Sequence, residues 1–292
     1  MLWSMISFFA LAVLALDSSL DRLRAEDARL ATIGWRLQTA NAALCPGQYV
    51  TGLSVDAKSQ YPKAMQANLA LTDRPGVAAV ARGSAAESAA LKVGDVLIAI
   101  NGQPTPTVTP KSGYAPVGVT ETMLDKAADG KTIQIEIKRD GITKPITLTP
   151  DKGCASHIQI IPGRSINAQA DGGYVQINAA MLDFVNSDDE LATIVAHELA
   201  HNILRHITLN TPSKQAEYEA DRLGVALMVR AGYNIDAILP FWTRFEKRTN
   251  AGIFADGTHP SRKKRLAAVT AAVSEWKYGQ PRVPPSQKEK PR

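Results

Sequence analysis

Apolar and polar positions follow three different periods along the chain. The opening stretch, MLWSMISFFALAVLAL, is apolar for about sixteen residues, shorter than the roughly 20 a membrane span needs and closer to a signal-peptide core. Val13 and Ala15 suit a cleavage site, although no Lys or Arg precedes the core. Residues 1–16 are therefore expected to be a signal peptide or a short membrane anchor. From Asp17 the chain turns polar, and Leu20, Leu23, Leu30, Ile33 and Leu37 recur at a spacing that predicts an amphipathic helix within 17–45. Between 46 and 154, short β-rich runs alternate with Gly and Pro turns, and TIQIEIKRDG alternates with period two, a half-buried strand closed by a turn. Beyond 155 the helical period returns. DGGYVQINAAML reads as a turn and a short strand, followed by helices over NSDDELATIVAHELAHNIL, TPSKQAEYEADRLGVALMVRAGY and PSRKKRLAAVTAAVSEW. Residues 279–292 are Pro-rich and charged and are expected to be disordered. The pattern predicts an α+β chain, β-rich in its first half and mainly helical in its second.

With 292 residues, 45% hydrophobic and 21% charged, the chain has room for two modest domains of ordinary globular composition. A net charge of +5 is too mild to imply nucleic acid.

The chemistry is concentrated in HELAH. On a helix His197 and His201 share one face about a turn apart, and two imidazoles so placed can hold one zinc ion. Glu198 beside them suits a general base that takes a proton from water. An ordinary buried helix that happens to spell the motif is the competing reading. The surroundings favour a site: Ser187 and Glu190 stand at capping-box spacing, Asp188 and Asp189 lie in the first turn, and Leu191, Ile194, Val195, Leu199 and Ile203 make the helix mostly buried. Two histidines and a glutamate there are costly unless something satisfies them. A catalytic zinc wants a third protein ligand. On the next helix, with Thr211 and Pro212 read as its start and Gly232 as its stop, Glu217 and Asp221 lie four apart on one face and Glu219 on the other. Glu217 is expected as the third ligand and Asp221 as a hydrogen-bond partner of a ligand histidine, against the alternative of a solvated helix face. Gly224 suits close helix packing. His157 and His206 are read as non-ligands, the latter as a histidine suiting a helix C-terminus.

These motifs, GGYVQINAAMLDFVNSDDELATIVAHELAHNILRH, then EYEADRLG, then THPSRKKRL, resemble the zinc metallopeptidase family of the CAAX prenyl proteases and the heat-shock protease HtpX, a gluzincin family, in its soluble exported type. The resemblance covers about 155–275. It implies a mainly helical zincin-type domain with a small edge sheet over 155–278 and one zinc per chain on His197, His201 and Glu217. Glu198 is then the base and Asp221 the aspartate of the glutamate-containing motif. His259, followed by Pro260, lies near the open zinc position in the family, where it steadies the oxyanion or caps the metal; Arg265 matches the family's following arginine and is expected as a catalytic residue that helps His259 stabilise the oxyanion. The strand in DGGYVQINAAML is expected at a sheet edge where a peptide substrate adds by backbone hydrogen bonds. Asn167 and Ala168 match a family element whose continuation departs here.

GSAAESAALKVGDVLIAINGQ resembles the PDZ domains of bacterial proteases, which implies a module over 46–154 that captures extended peptides or C-terminal tails by strand addition, with its binding loop expected before Val77. A PDZ fold serving only as spacer or lid is the competing reading. Cys45 and Cys154 flank this module. In an exported protein they are expected to form one disulfide, which in the simple entropy model of a loop of about 110 residues contributes roughly 4–5 kcal/mol. The expected activity is a periplasmic or otherwise exported zinc metalloendopeptidase, acting on misfolded or exported polypeptides and associated with the membrane if the N-terminal segment is retained. The alternative is a PDZ peptide-binding protein with a latched or vestigial zinc site.

Overall fold

The computed structural model describes residues 3–66, 72–209, 213–248 and 262–279, with side chains from Leu20 onward except Ala64, Met65 and Arg262. His259 and Pro260, the pair Thr211–Pro212 and the tail beyond Gly279 lie outside the described residues. The fold is α+β and the chain divides into two units, 1–32 with 51–151 and 33–50 with 152–292. The first helix, α1 (Trp3–Ala40), contributes to both. Leu30, Ile33 and Leu37 are buried as their spacing predicts. Among the described residues no helix is long and apolar enough to cross a membrane.

After α1 the strand β1 (Tyr49–Val50) leads to the first unit, which contains β2 (Leu53–Asp56), α2 (Lys63–Gln66), β3 (Gly76–Val80), α3 (Ala85–Ser88), β4 (Val96–Ile100), β5 (Gln103–Pro104), α4 (Ala115–Ala127), β6 (Ile133–Arg139) and β7 (Ile142–Leu148). Its sheet runs in the order β2-β3-β4-β6-β7, with β5 paired to β4. Ile133, Ile135 and Ile137 are buried while the residues between them are exposed, so the period-two reading of this strand holds. Asn101–Gly102 and Asp140–Gly141 all take positive φ and form tight hairpin turns between antiparallel strands. Asp95 of the GD pair is buried and holds Arg139 across the sheet. β3, which carries Val77, is an interior strand; the sheet's edges are β7 and β2, the latter packed beside α4 and preceded by Thr51 and Gly52. Four residues with no alternation left β2 without a periodic signature.

The second unit resumes within β8 (Asp151–Lys152), which pairs with β1, and holds β9 (His157–Ile161), β10 (Ala168–Ala170), β11 (Tyr174–Asn178), α5 (Ala179–Phe184), α6 (Asp188–Ile203), α7 (Lys214–Arg230), α8 (Ile238–Arg248) and α9 (Arg262–Tyr278). The small sheet runs β10-β11-β9, antiparallel then parallel. The strand in YVQIN, expected at an edge, is therefore central. The three residues of β10, too few to show a period, form the edge that packs against α6. Cys45 and Cys154 are disulfide-bonded, with Cα atoms 5.1 Å apart. Gly34 lets α1 meet β9: a Cβ there would lie 2.6 Å from Ile158.

Candidate metal centre

Ser187 starts α6 by accepting the Glu190 N–H. The Glu190 carboxylate reaches back to the Asn186 N–H at 2.7 Å, one residue before the cap, and also binds Arg244. The glutamate half of the expected capping box is thus displaced by one residue. The α6 side chains from Glu190 to Asn202 are all buried, among them His197, Glu198 and His201. α7 is capped by Ser213, which accepts the Ala216 N–H, so it starts later than the Thr211–Pro212 pair predicts. Gly232, with φ at +71°, ends it as expected. Gly224 faces α6 so closely that a Cβ would lie 3.3 Å from the His197 backbone nitrogen. This contact brings Glu217 and Asp221 of α7 against the two histidines.

The Nε2 atoms of His197 and His201 are 3.3 Å apart. Glu217 Oε2 lies 3.5 Å from the first, and Glu217 Oε1 lies 3.4 Å from the second. These three side chains form the one group of potential metal donors found among the described residues. Zinc bonds of about 2.0–2.2 Å in a tetrahedron require donor separations of roughly 3.3–3.6 Å. The two histidine nitrogens have that separation, and each has a Glu217 oxygen at such a distance, so the residues fit the ion. Burial and the neighbouring His197 push His201 down to about 3, the neutral form that a ligand imidazole needs. Burial and Arg265 also push His197 down, but the hydrogen bond and charge of Asp221, aided by Glu217, outweigh them and hold it at about 9. Asp221 Oδ1 is 2.9 Å from His197 Nδ1.

Arg265, on the inner face of α9, binds Asp221 through two donors at 2.9 and 3.0 Å, and its guanidinium lies 3.8 Å from the centre of the Trp242 ring. Its Nη2 is 3.2 and 3.3 Å from the two nitrogens of His197, too even a spacing to lie along either lone pair. The side chain is 3% exposed. Burial would raise the Asp221 carboxyl, but the Arg265 charge and the His197 hydrogen bond hold it below its ordinary range.

Two contacts carried no sequence signal. Asn202 accepts the Gly172 N–H at 2.8 Å and donates to Tyr174 O at 3.0 Å, fastening the end of α6 to the β10–β11 turn. His206 is buried against His201.

Residues 149–212 and 207–273 match peptidase family M48. The matched region carries the His197, His201 and Glu217 donor set. Members of M48 are zinc metalloproteases, in keeping with the His-His-Glu donor set. Residues 76–112 match a PDZ domain. Mitochondrial metalloendopeptidase OMA1 of Saccharomyces cerevisiae is 26% identical over 178 residues, 47% of this chain and 48% of that protein. Mitochondrial metalloendopeptidase OMA1 of Arabidopsis thaliana is 27% identical over 186 residues, 51% of this chain and 38% of that protein. A Vibrio cholerae protein bearing the name of a beta-barrel assembly-enhancing protease is 26% identical over 131 residues, 29% of this chain and 27% of that protein. The alignments thus span about half or less of these M48 relatives.

Proposed function

We propose that the chain is a zinc-dependent metalloendopeptidase that hydrolyses peptide bonds of exported or misfolded proteins. The observation that carries this reading is the buried donor set of His197 Nε2 and His201 Nε2, 3.3 Å apart, each with a Glu217 oxygen at 3.4–3.5 Å. These three residues hold one zinc. Zinc, when bound, supplies Lewis acidity to the hydrolysis. Glu198, one residue along α6 from His197, takes a proton from the attacking water and returns it to the leaving amine. Asp221 fixes His197 through Nδ1 so that Nε2 points to the metal. Arg265 neutralises Asp221 and packs on Trp242, and so acts as a positioning residue. His259, in the histidine-proline pair beyond α8, is assigned to the developing oxyanion.

The substrate backbone adds to the edge strand β10, which reads few side chains and accepts varied sequences. The PDZ domain captures extended segments or C-terminal tails of the same substrates along β2 beside α4. The Cys45–Cys154 disulfide supports an oxidising, exported location.

Purified protein is expected to cleave casein, to lose that activity to a chelator and to regain it with zinc at one equivalent per chain. Glu198→Gln should keep zinc and the fold while losing nearly all turnover. Chelator-resistant cleavage, or full turnover by Glu198→Gln, would remove the metal mechanism. PDZ capture predicts faster cleavage of a protein substrate with a free C-terminus than of the same substrate amidated. Equal rates would reject tail capture and leave the peptidase intact.

A further inference from the structure

α6 closes in a Schellman turn. Arg205 takes a left-handed φ of 61°, its N–H donates to Asn202 O, and the His206 N–H donates to His201 O, both at 3.1 Å. Such a turn folds the second residue past the cap over the last full helical turn, where the meeting side chains are usually apolar. Here both are histidines. His206 Nδ1 lies 3.1 Å from His201 Nδ1, and His206 is 5% exposed. Its other nitrogen, Nε2, is 3.2 Å from Glu219 Oε2 on α7. Glu219 Oε1 in turn accepts a hydrogen bond of 2.8 Å from Gln215 one helical turn earlier.

The protons along this chain have one consistent arrangement. His201 faces Glu217 and His197 with Nε2, so as a metal ligand it presents a lone pair there and carries its proton on Nδ1. That proton is donated to His206 Nδ1, which must then be an acceptor. The His206 proton sits on Nε2 and is donated to the Glu219 carboxylate. His197 has its Nδ1 held by Asp221, a buried carboxylate, whereas His201 has its Nδ1 held by a neutral ring backed by a half-exposed one.

We propose that His206 is a positioning residue for the metal: it fixes the tautomer and ring angle of His201, with Glu219 as its anchor. The inference rests on the metal reading above and goes beyond it by extending the centre to a residue past the helix end and to the outer face of α7. It also explains why Glu219, on the face opposite Asp221 by spacing alone, still serves the site: the Schellman turn brings a histidine round to meet it.

The test is zinc affinity, measured by competition of the purified full chain with a chromogenic chelator, beside the melting temperature of each metal-free variant. His206→Phe keeps the ring volume and removes both hydrogen bonds; it should weaken zinc binding roughly 10–100-fold. His206→Gln can accept from His201 through its carbonyl and donate to Glu219 through its amide, and should recover affinity to within a few-fold of wild type. A merely space-filling role would give the reverse order. Glu219→Ala, at a half-exposed site that the metal-free fold tolerates, should lose affinity several-fold with little change in melting. Wild-type zinc affinity in His206→Phe overturns the proposal; if that variant does not fold, wild-type affinity in Glu219→Ala does so. A wild-type chain that binds no zinc overturns the metal reading itself, and the two failures are thereby distinct.

Discussion

Arg265 faces Asp221 with both ends of its guanidinium, and neither group is more than 3% exposed at the side chain. Removing one member of such a pair leaves the other charge buried alone, at a cost of about 3–5 kcal/mol. Arg265→Ala should therefore lower the urea midpoint of the metal-free protein strongly, and the double variant with Asp221→Ala should recover part of the loss. An arginine that served only the oxyanion would reduce turnover and leave the midpoint alone. Asp27 makes the opposite case. Burial, reinforced by the charges of Asp56 and Glu26, outweighs Arg24 and raises its carboxyl to about 7. Between the unfolded value near 3.9 and the folded value, the folded chain keeps a proton the unfolded chain has lost, so stability falls as pH rises through that window. Asp27→Asn should raise the melting temperature at pH 8 and leave it unchanged at pH 4; an equal shift at both would rule the titration out. Residue identity carried far at this scale. His197, His201, Glu217 and Asp221 stand together as helical spacing suggests, because four residues make one turn on either helix. Arg265 was legible only through its match to the family's arginine, which did not say that its donors would be spent on Asp221.

Helix packing converts these residues into a centre, and Gly224 is where the two helices touch. An alanine there gains up to about 1 kcal/mol in helix propensity, yet its Cβ must fit 3.3 Å from the His197 backbone nitrogen, against buried backbone that has little room to move. Gly224→Ala should spread α6 from α7 by a few tenths of an ångström, weakening zinc affinity severalfold while the melting temperature moves little. Unchanged affinity would show that the helices can adjust. Long elements such as α6, α7 and α9 were readable because three or more turns repeat the apolar period. The short strands were not. β2 and β10 have four and three residues, and their place at sheet edges depends on partners remote in sequence. The histidine pair at 201 and 206 escaped notice for a related reason: five residues is not a helical neighbour spacing, and only the left-handed turn at Arg205 makes it one.

For the whole molecule, the feature of widest reach is the bond between residues 109 apart in sequence. Cys154→Ser should lower stability by about 2–5 kcal/mol in denaturant unfolding under oxidising conditions. A midpoint equal to wild type would mean that the loop closure contributes nothing. The pairing was legible because only two cysteines exist, and one disulfide is the sole intramolecular product they can form. That same bond decides what damage to this protein looks like. Any single cut between Cys45 and Cys154 yields two polypeptides that remain one covalent molecule. On a gel run without reductant the nicked protein migrates as a single band near the intact species, and only reductant separates the fragments. Nicking in the intervening segment would thus be silent in the compartment where the bond persists, and the two halves would part company only on passage into a reducing one.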